Sequence, residues 1–134
     1  LARRQAAGGV PTYLYYFDQV PASQRDVLHG APHGGEIAYV FGTPGGFLSE
    51  WDDRDRALAD AVSAYWVRFA ATGDPNGEGA EEWKPVDVTA SGFLHLGDAI
   101  EMVQPDGLAD RMLETVVRSA VAVQQQQAKP GADL

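Results

Sequence analysis

The amino-acid sequence predicts an α/β architecture that is incomplete on its own. Three observations lead there. Residues 12–17 (Thr-Tyr-Leu-Tyr-Tyr-Phe) form a continuous apolar, aromatic run, as expected of a sheet strand covered on both faces. A long segment from about Asp53 to Thr72 repeats its apolar residues with the period of a helix laid on a core. Strand candidates number only two, 12–17 and 93–96; an isolated pair is marginal in water, and its unpaired edges invite other chains. The chain therefore reads as part of a larger sheet with two or three helices packed against it. It starts at Leu1, with no apolar stretch in the first five residues. No signal peptide is read there, and the chain is expected to have been entered part-way through.

Each element can be argued in order. Residues 1–10, small and polar and containing Gly8-Gly9, read as a loop or frayed lead-in. The first strand ends at Asp18. Pro21, Gly30, Pro32, Gly34 and Gly35 make 21–35 a loop. Residues 36–41 suit a short helix better than a short strand, closed by Gly42 and Pro44. In the long helix, Leu58, Val62, Tyr65 and Phe69 form one stripe with Trp66 beside it. Asp52 or Asp53 can cap its start, and Asp55 suits the positive end of its dipole. Gly73 stands where a left-handed C-terminal cap belongs, and Pro75 prevents continuation. Residues 77–92 are irregular, with Trp83 as an anchor. The strand at 93–96 ends at Gly97-Asp98. A second helix is expected over 106–123, on the ladder Leu108, Met112, Val116 and Ala120. The polar stretch 124–134 is expected to be a disordered tail.

Composition narrows the function. One domain fits 134 residues. A net charge of −9 repels phosphate backbones and anionic lipid, which argues against nucleic-acid binding. No apolar run approaches the ~20 residues of a membrane helix. The absence of cysteine excludes disulfides, a cysteine nucleophile and thiolate metal sites.

Three histidines can be weighed. His29, His33 and Glu36 have the spacing H-x3-H-x2-E, but Gly30, Pro32, Gly34 and Gly35 break the helix that would put them on one face, so no metal site is expected. His33 lies in a loop beyond the carboxyl end of a strand, where α/β sheets build their sites, and could be a general base or a structural loop residue. Read as an oxyanion loop, His33-Gly34-Gly35 is too far from the strand and has no nucleophile after it. Ser23, Ser49, Ser63, Ser91 and Ser119 all lie outside any G-x-S-x-G pattern. His95, alternating with leucines, reads as structural. Asp18 could be an acid or a turn former. Trp51, Trp66 and Trp83 read as packing anchors; Trp51 and Phe47 could also border a pocket near His33.

Three stretches together resemble the type-B carboxylesterases, the family of the cholinesterases and bacterial para-nitrobenzyl esterases. Gly30-Ala31-Pro32-His33-Gly34-Gly35-Glu36-Ile37-Ala38-Tyr39-Val40-Phe41-Gly42 is similar to its histidine segment. Tyr65-Trp66-Val67-Arg68-Phe69-Ala70-Ala71-Thr72-Gly73-Asp74-Pro75-Asn76 is similar to its Tyr-Trp-x-x-Phe-Ala-x-x-Gly-x-Pro-Asn helix end. Glu82-Trp83-Lys84-Pro85 is close to its Trp-Pro segment, with Lys84 inserted. The resemblance spans roughly residues 12–113. It implies that residues 1–134 are the C-terminal part of one α/β-hydrolase domain: last strands, histidine loop and packing helices. It implies ester hydrolysis by a Ser-His-acid triad without a cofactor or metal, on a small-molecule ester. His33 is then the catalytic histidine, with Gly34 and Glu36 supporting its loop. Serine, triad acid and oxyanion glycines would come from the N-terminal part of the same domain, and this chain alone would be inactive. A noncatalytic cholinesterase-like binding or adhesion module, or a truncated non-enzymatic product, is the alternative.

Overall fold

The computed structural model describes residues 1–45, 50–87 and 92–104. The expected helix at 106–123, the tail at 124–134 and Phe47 lie outside them. The elements run α1 (Ala2–Ala7), β1 (Tyr15–Phe17), a single 3-10 turn (Ala22–Gln24), α2 (Gly35–Phe41), α3 (Asp53–Thr72), β2 (Phe93–Leu96) and β3 (Ile100–Val103). This is an α/β fold with a small mixed sheet in the order β1-β2-β3.

The long helix follows its local chemistry closely. Asp52 caps it, accepting hydrogen bonds from the N–H groups of Arg54 (2.8 Å) and Asp55 (3.0 Å). Asp55 closes the box by accepting from the Asp52 N–H at 3.2 Å. At the other end Gly73 adopts φ +79° and donates its N–H to the Phe69 carbonyl at 2.8 Å. The turn beyond is a clamp. The Asn76 side chain donates to the Trp83 carbonyl (3.0 Å) and accepts from the Trp83 N–H (2.7 Å), as a neighbouring strand would. Trp83 in turn donates its indole N–H to the Leu14 carbonyl at 2.8 Å, and the Tyr65 hydroxyl donates to Glu81 O at 2.6 Å. The Gly-Asp-Pro-Asn segment thus folds the chain back and seats Trp83 in the core.

β1 and β2 are parallel, with Tyr16 opposite His95, and the long crossover between them carries α2 and α3. β2 and β3 form an antiparallel hairpin around Gly97, Asp98 and Ala99. Leu94 and Leu96 on one face of β2 are fully buried under Tyr39 of α2 and Leu58, Val62 and Tyr65 of α3, with Trp51 and Trp83 completing the core.

Several expectations need correcting. Residues 1–10 are not a plain loop: Ala- and Arg-rich 2–7 wind into α1, which buries nothing and stops at Gly8 and Gly9. The sheet has three strands among the described residues, not two, because Gly97-Asp98-Ala99 turns the chain instead of ending the sheet. β1 is not covered on both faces. Tyr15 and Phe17 point to the helices, against Trp66 and Tyr39, while Tyr16 is 56% exposed on the far face, where it meets Phe93 and His95. The aromatic run lacks alternation because each face has its own aromatic partners. Phe69 does not complete the buried stripe of α3; it is 46% exposed and meets Tyr13 edge-on.

Candidate active site

The long loop between β1 and α2 holds two of the three histidines, and both its stems are tied down. Gln19, just past β1, is buried and donates its side-chain N–H to Asp55 Oδ1 at 2.9 Å. Tyr39, on α2, donates its hydroxyl to the same oxygen at 2.8 Å. Asp55 is 1% exposed, yet three donors satisfy it: Gln19, Tyr39 and the Asp52 N–H. Burial, then the bond to Asp55, pushes the Tyr39 phenol far above the ordinary tyrosine range. Mid-loop, Arg25 donates Nε to the Val20 carbonyl (3.0 Å) and pairs with Asp98 of the β2–β3 hairpin.

His33 stands at the downstream end of this loop. It is exposed and has no hydrogen-bond partner among the described residues. Gly34 follows at φ +75° as the N-cap of α2, a left-handed conformation that a side chain would strain. A Cβ on Gly35 would sit 3.2 Å from Pro32 Cδ, so the glycine lets the loop fold tightly onto the helix start. Glu36 is half-buried in the first turn of α2. His29 lines a polar cavity at the carboxyl end of β1, with Asp18, Arg25 and Asp98. The described residues contain no group of three His, Cys, Asp or Glu side chains placed to hold a metal. Trp51 packs against Tyr39 inside the core, ring centroids 4.5 Å apart.

The histidine that meets acids is His95. Its Nε2 lies 2.8 Å from Asp18 Oδ1, and its Nδ1 lies 3.5 Å from Glu101 Oε1, an arrangement reminiscent of a catalytic triad. Tyr16 stacks on the ring at 6.0 Å. A Cβ on Gly97 would collide with the Asp18 carboxylate and the His95 ring, so glycine is what lets the hairpin turn approach the pair. The Asp18 carboxylate occupies Nε2, and the exposed Glu101 carboxylate faces Nδ1 at ion-pair distance. His95 thus links the three strands. Of the serines, Ser23 donates to the Glu50 carbonyl and Ser63 lies inside α3; Ser49, Ser91 and Ser119 fall outside the described residues.

The profile of the carboxylesterase family matches residues 1–113. The chain belongs to the carboxylesterase family. Among curated relatives, it is 36% identical over 108 residues to carboxylesterase 1C of Rattus norvegicus, covering 78% of this chain and 19% of that protein. It is 38% identical over 103 residues to the bile salt-activated lipase of Homo sapiens, covering 72% of this chain and 13% of that one. Among solved structures, a Geobacillus stearothermophilus carboxylesterase at pH 6.2 superposes with a TM-score of 0.67 and 26% identity, over 83% of this chain and 23% of the other. The match thus spans 13–23% of the length of these relatives. Within this chain, the helix-end motif has a structural explanation in the Asn76–Trp83 clamp. His33, in contrast, has no hydrogen-bond partner among the described residues. Sequence reasoning missed the Asp18–His95 pair and the convergence on Asp55. The only signal for Asp55 was an acidic residue three places after a capping Asp, which a helix start alone explains.

Proposed function

We propose that this chain is the C-terminal part of a serine carboxylesterase domain, residues 1–134 supplying its histidine loop. His33 is the general base in that reading. A serine from the N-terminal part of the domain attacks the ester carbonyl. His33 takes the serine proton and returns it to the departing alcohol, and water then repeats the cycle on the acyl-enzyme. An upstream carboxylate orients the imidazole, and upstream backbone N–H groups hold the oxyanion. Gly34 and Glu36 support the loop. The reaction needs no cofactor from this chain.

The observation that carries the reading is the state of His33: exposed, without a hydrogen-bond partner among the described residues, and held between a sheet strand and a helix inside the family match. Exposed Ile37 and Phe41, four residues apart on α2, offer apolar contact to the remainder of the domain. In the full-length protein, His33→Ala is expected to lower kcat on a p-nitrophenyl ester by ~10⁴–10⁶-fold. A loss below about tenfold refutes the base assignment. The 134-residue chain alone is expected to hydrolyse no ester.

A further inference from the structure

We infer that Asp55 is a positioning residue for His33, acting on both stems of the histidine loop through one carboxylate oxygen. The inference rests on the proposed role of His33. The loop leaves the sheet at Gln19 and returns as α2, and between these points Pro and Gly are frequent and regular structure is limited to one 3-10 turn. Such a segment has little local stiffness of its own. Its ends are nevertheless fixed to a common point, because Gln19 Nε2 and the Tyr39 hydroxyl both donate to Asp55 Oδ1, at 2.9 and 2.8 Å.

That point is itself rigid. Asp55 sits in the first turn of the twenty-residue α3, and its second oxygen accepts from the Asp52 N–H. Rotation of the carboxylate would break the capping box as well as the two loop bonds. Tyr39 is locked further by the rings of Trp51 and Phe17, at 4.5 and 5.1 Å. His33 lies six residues before Tyr39, with the α2 N-cap between them. A shift or tilt of α2 therefore carries His33 with it. Asp55 makes no hydrogen bond to His33, so its influence is on where the imidazole stands.

A general base must lie within hydrogen-bond reach of its nucleophile, and a displacement of about 1 Å can cost ~100-fold in rate. The loop bonds require an oxygen acceptor at this position and do not depend on a negative charge. An asparagine can keep Oδ1 for Gln19 and Tyr39 while losing the bond from the Asp52 N–H.

The test uses the protein at its full native length with p-nitrophenyl acetate. Asp55→Ala is expected to lower kcat by about 10- to 100-fold, with KM changed less than about threefold. Asp55→Asn is expected to restore kcat to within about threefold of the parent. Val62→Ala, which weakens α3 packing elsewhere, serves as the control for lost stability and is expected to leave kcat within the same range. If Asp55→Ala fails to fold, Gln19→Leu breaks only the upstream tie and is expected to lower kcat in the same direction. Hydrogen exchange over 20–34, measured on the same variants, is expected to rise in Asp55→Ala or Gln19→Leu and to stay at the parent level in Val62→Ala. Unchanged exchange over 20–34 overturns the inference, as does a kcat no lower than that of Val62→Ala. A fully active His33→Ala overturns the proposed function instead, a result that the exchange measurement cannot mimic.

Discussion

Asn76→Ala is expected to be among the most damaging single changes outside the apolar core. The Asn76 amide makes a donor and an acceptor bond to the Trp83 backbone, at 3.0 and 2.7 Å, and Trp83 is only 5% exposed. Each bond contributes about 1 kcal/mol net, and each buried backbone partner left without water costs up to about 3 kcal/mol. The loss should therefore total about 2–4 kcal/mol. Trp83 also holds Leu14 through its indole, so loosening its backbone loosens the lead into β1. Urea unfolding followed by tryptophan fluorescence should show a lower midpoint with an unchanged slope. Asn76→Asp is the sharper companion. At pH 7 its carboxylate still accepts from the Trp83 N–H but repels the Trp83 carbonyl and Asp74, so it should be at least as unstable as the alanine variant. Protonation below about pH 4 restores a donor, and the gap to wild type should then narrow. A cost below about 0.5 kcal/mol for Asn76→Ala, or an aspartate variant indifferent to pH, would refute the clamp.

Other outcomes follow from the same structure. Tyr39→Phe should cost about 1.5–3 kcal/mol at pH 7, because a buried bond to a carboxylate is lost. The raised Tyr39 pKa means its contribution is complete below pH 10 and is lost as pH climbs above that value, since the unfolded phenol ionises first. Wild type should thus destabilise more steeply above pH 10 than the phenylalanine variant, as read by urea midpoints and phenolate absorbance at several pH values. Hydrogen bonds from the Asp55 and Arg54 N–H groups hold the Asp52 carboxyl below the ordinary range. Its stabilisation is present above the ordinary carboxylate value and lost as pH falls through the depressed one, so Asp52→Ala should lower the urea midpoint at pH 7 and leave it unchanged near pH 2. Gly97→Ala should cost about 1–3 kcal/mol, since its methyl group drives Asp18 and His95 apart; imidazole nitrogen shifts identical to the parent's would contradict that reading.

Local chemistry wrote the long helix into the sequence. Its capping aspartate, apolar spacing and terminal glycine act within a few residues of one another, and the structure reproduces the expected span Asp53–Thr72. The same holds for α2 and for β2, whose apolar alternation leaves His95 off the buried face. The third strand was illegible because four residues after a Gly-Asp turn carry too little pattern; only pairing with β2 declares them. The aromatic run at 12–17 was legible as a strand but not in its exposure, which depends on helices packing on one side.

The site divides along the same line. His33 and its glycines stand out in the sequence because proline and glycine constrain the backbone locally, and the family motif runs through them. The partners of the other acids lie far away in the chain. Asp18 meets His95 across 77 residues, and Gln19 meets Asp55 across 36. Such contacts depend on the path of the crossover between two parallel strands, which no short window encodes. The sequence by itself therefore determined which residues could build helices, turns and a candidate base. Only the tertiary structure decided that His95 is bound through Nε2 to Asp18 while His33 has no partner among the described residues, because burial and hydrogen-bond satisfaction are properties of the packed chain.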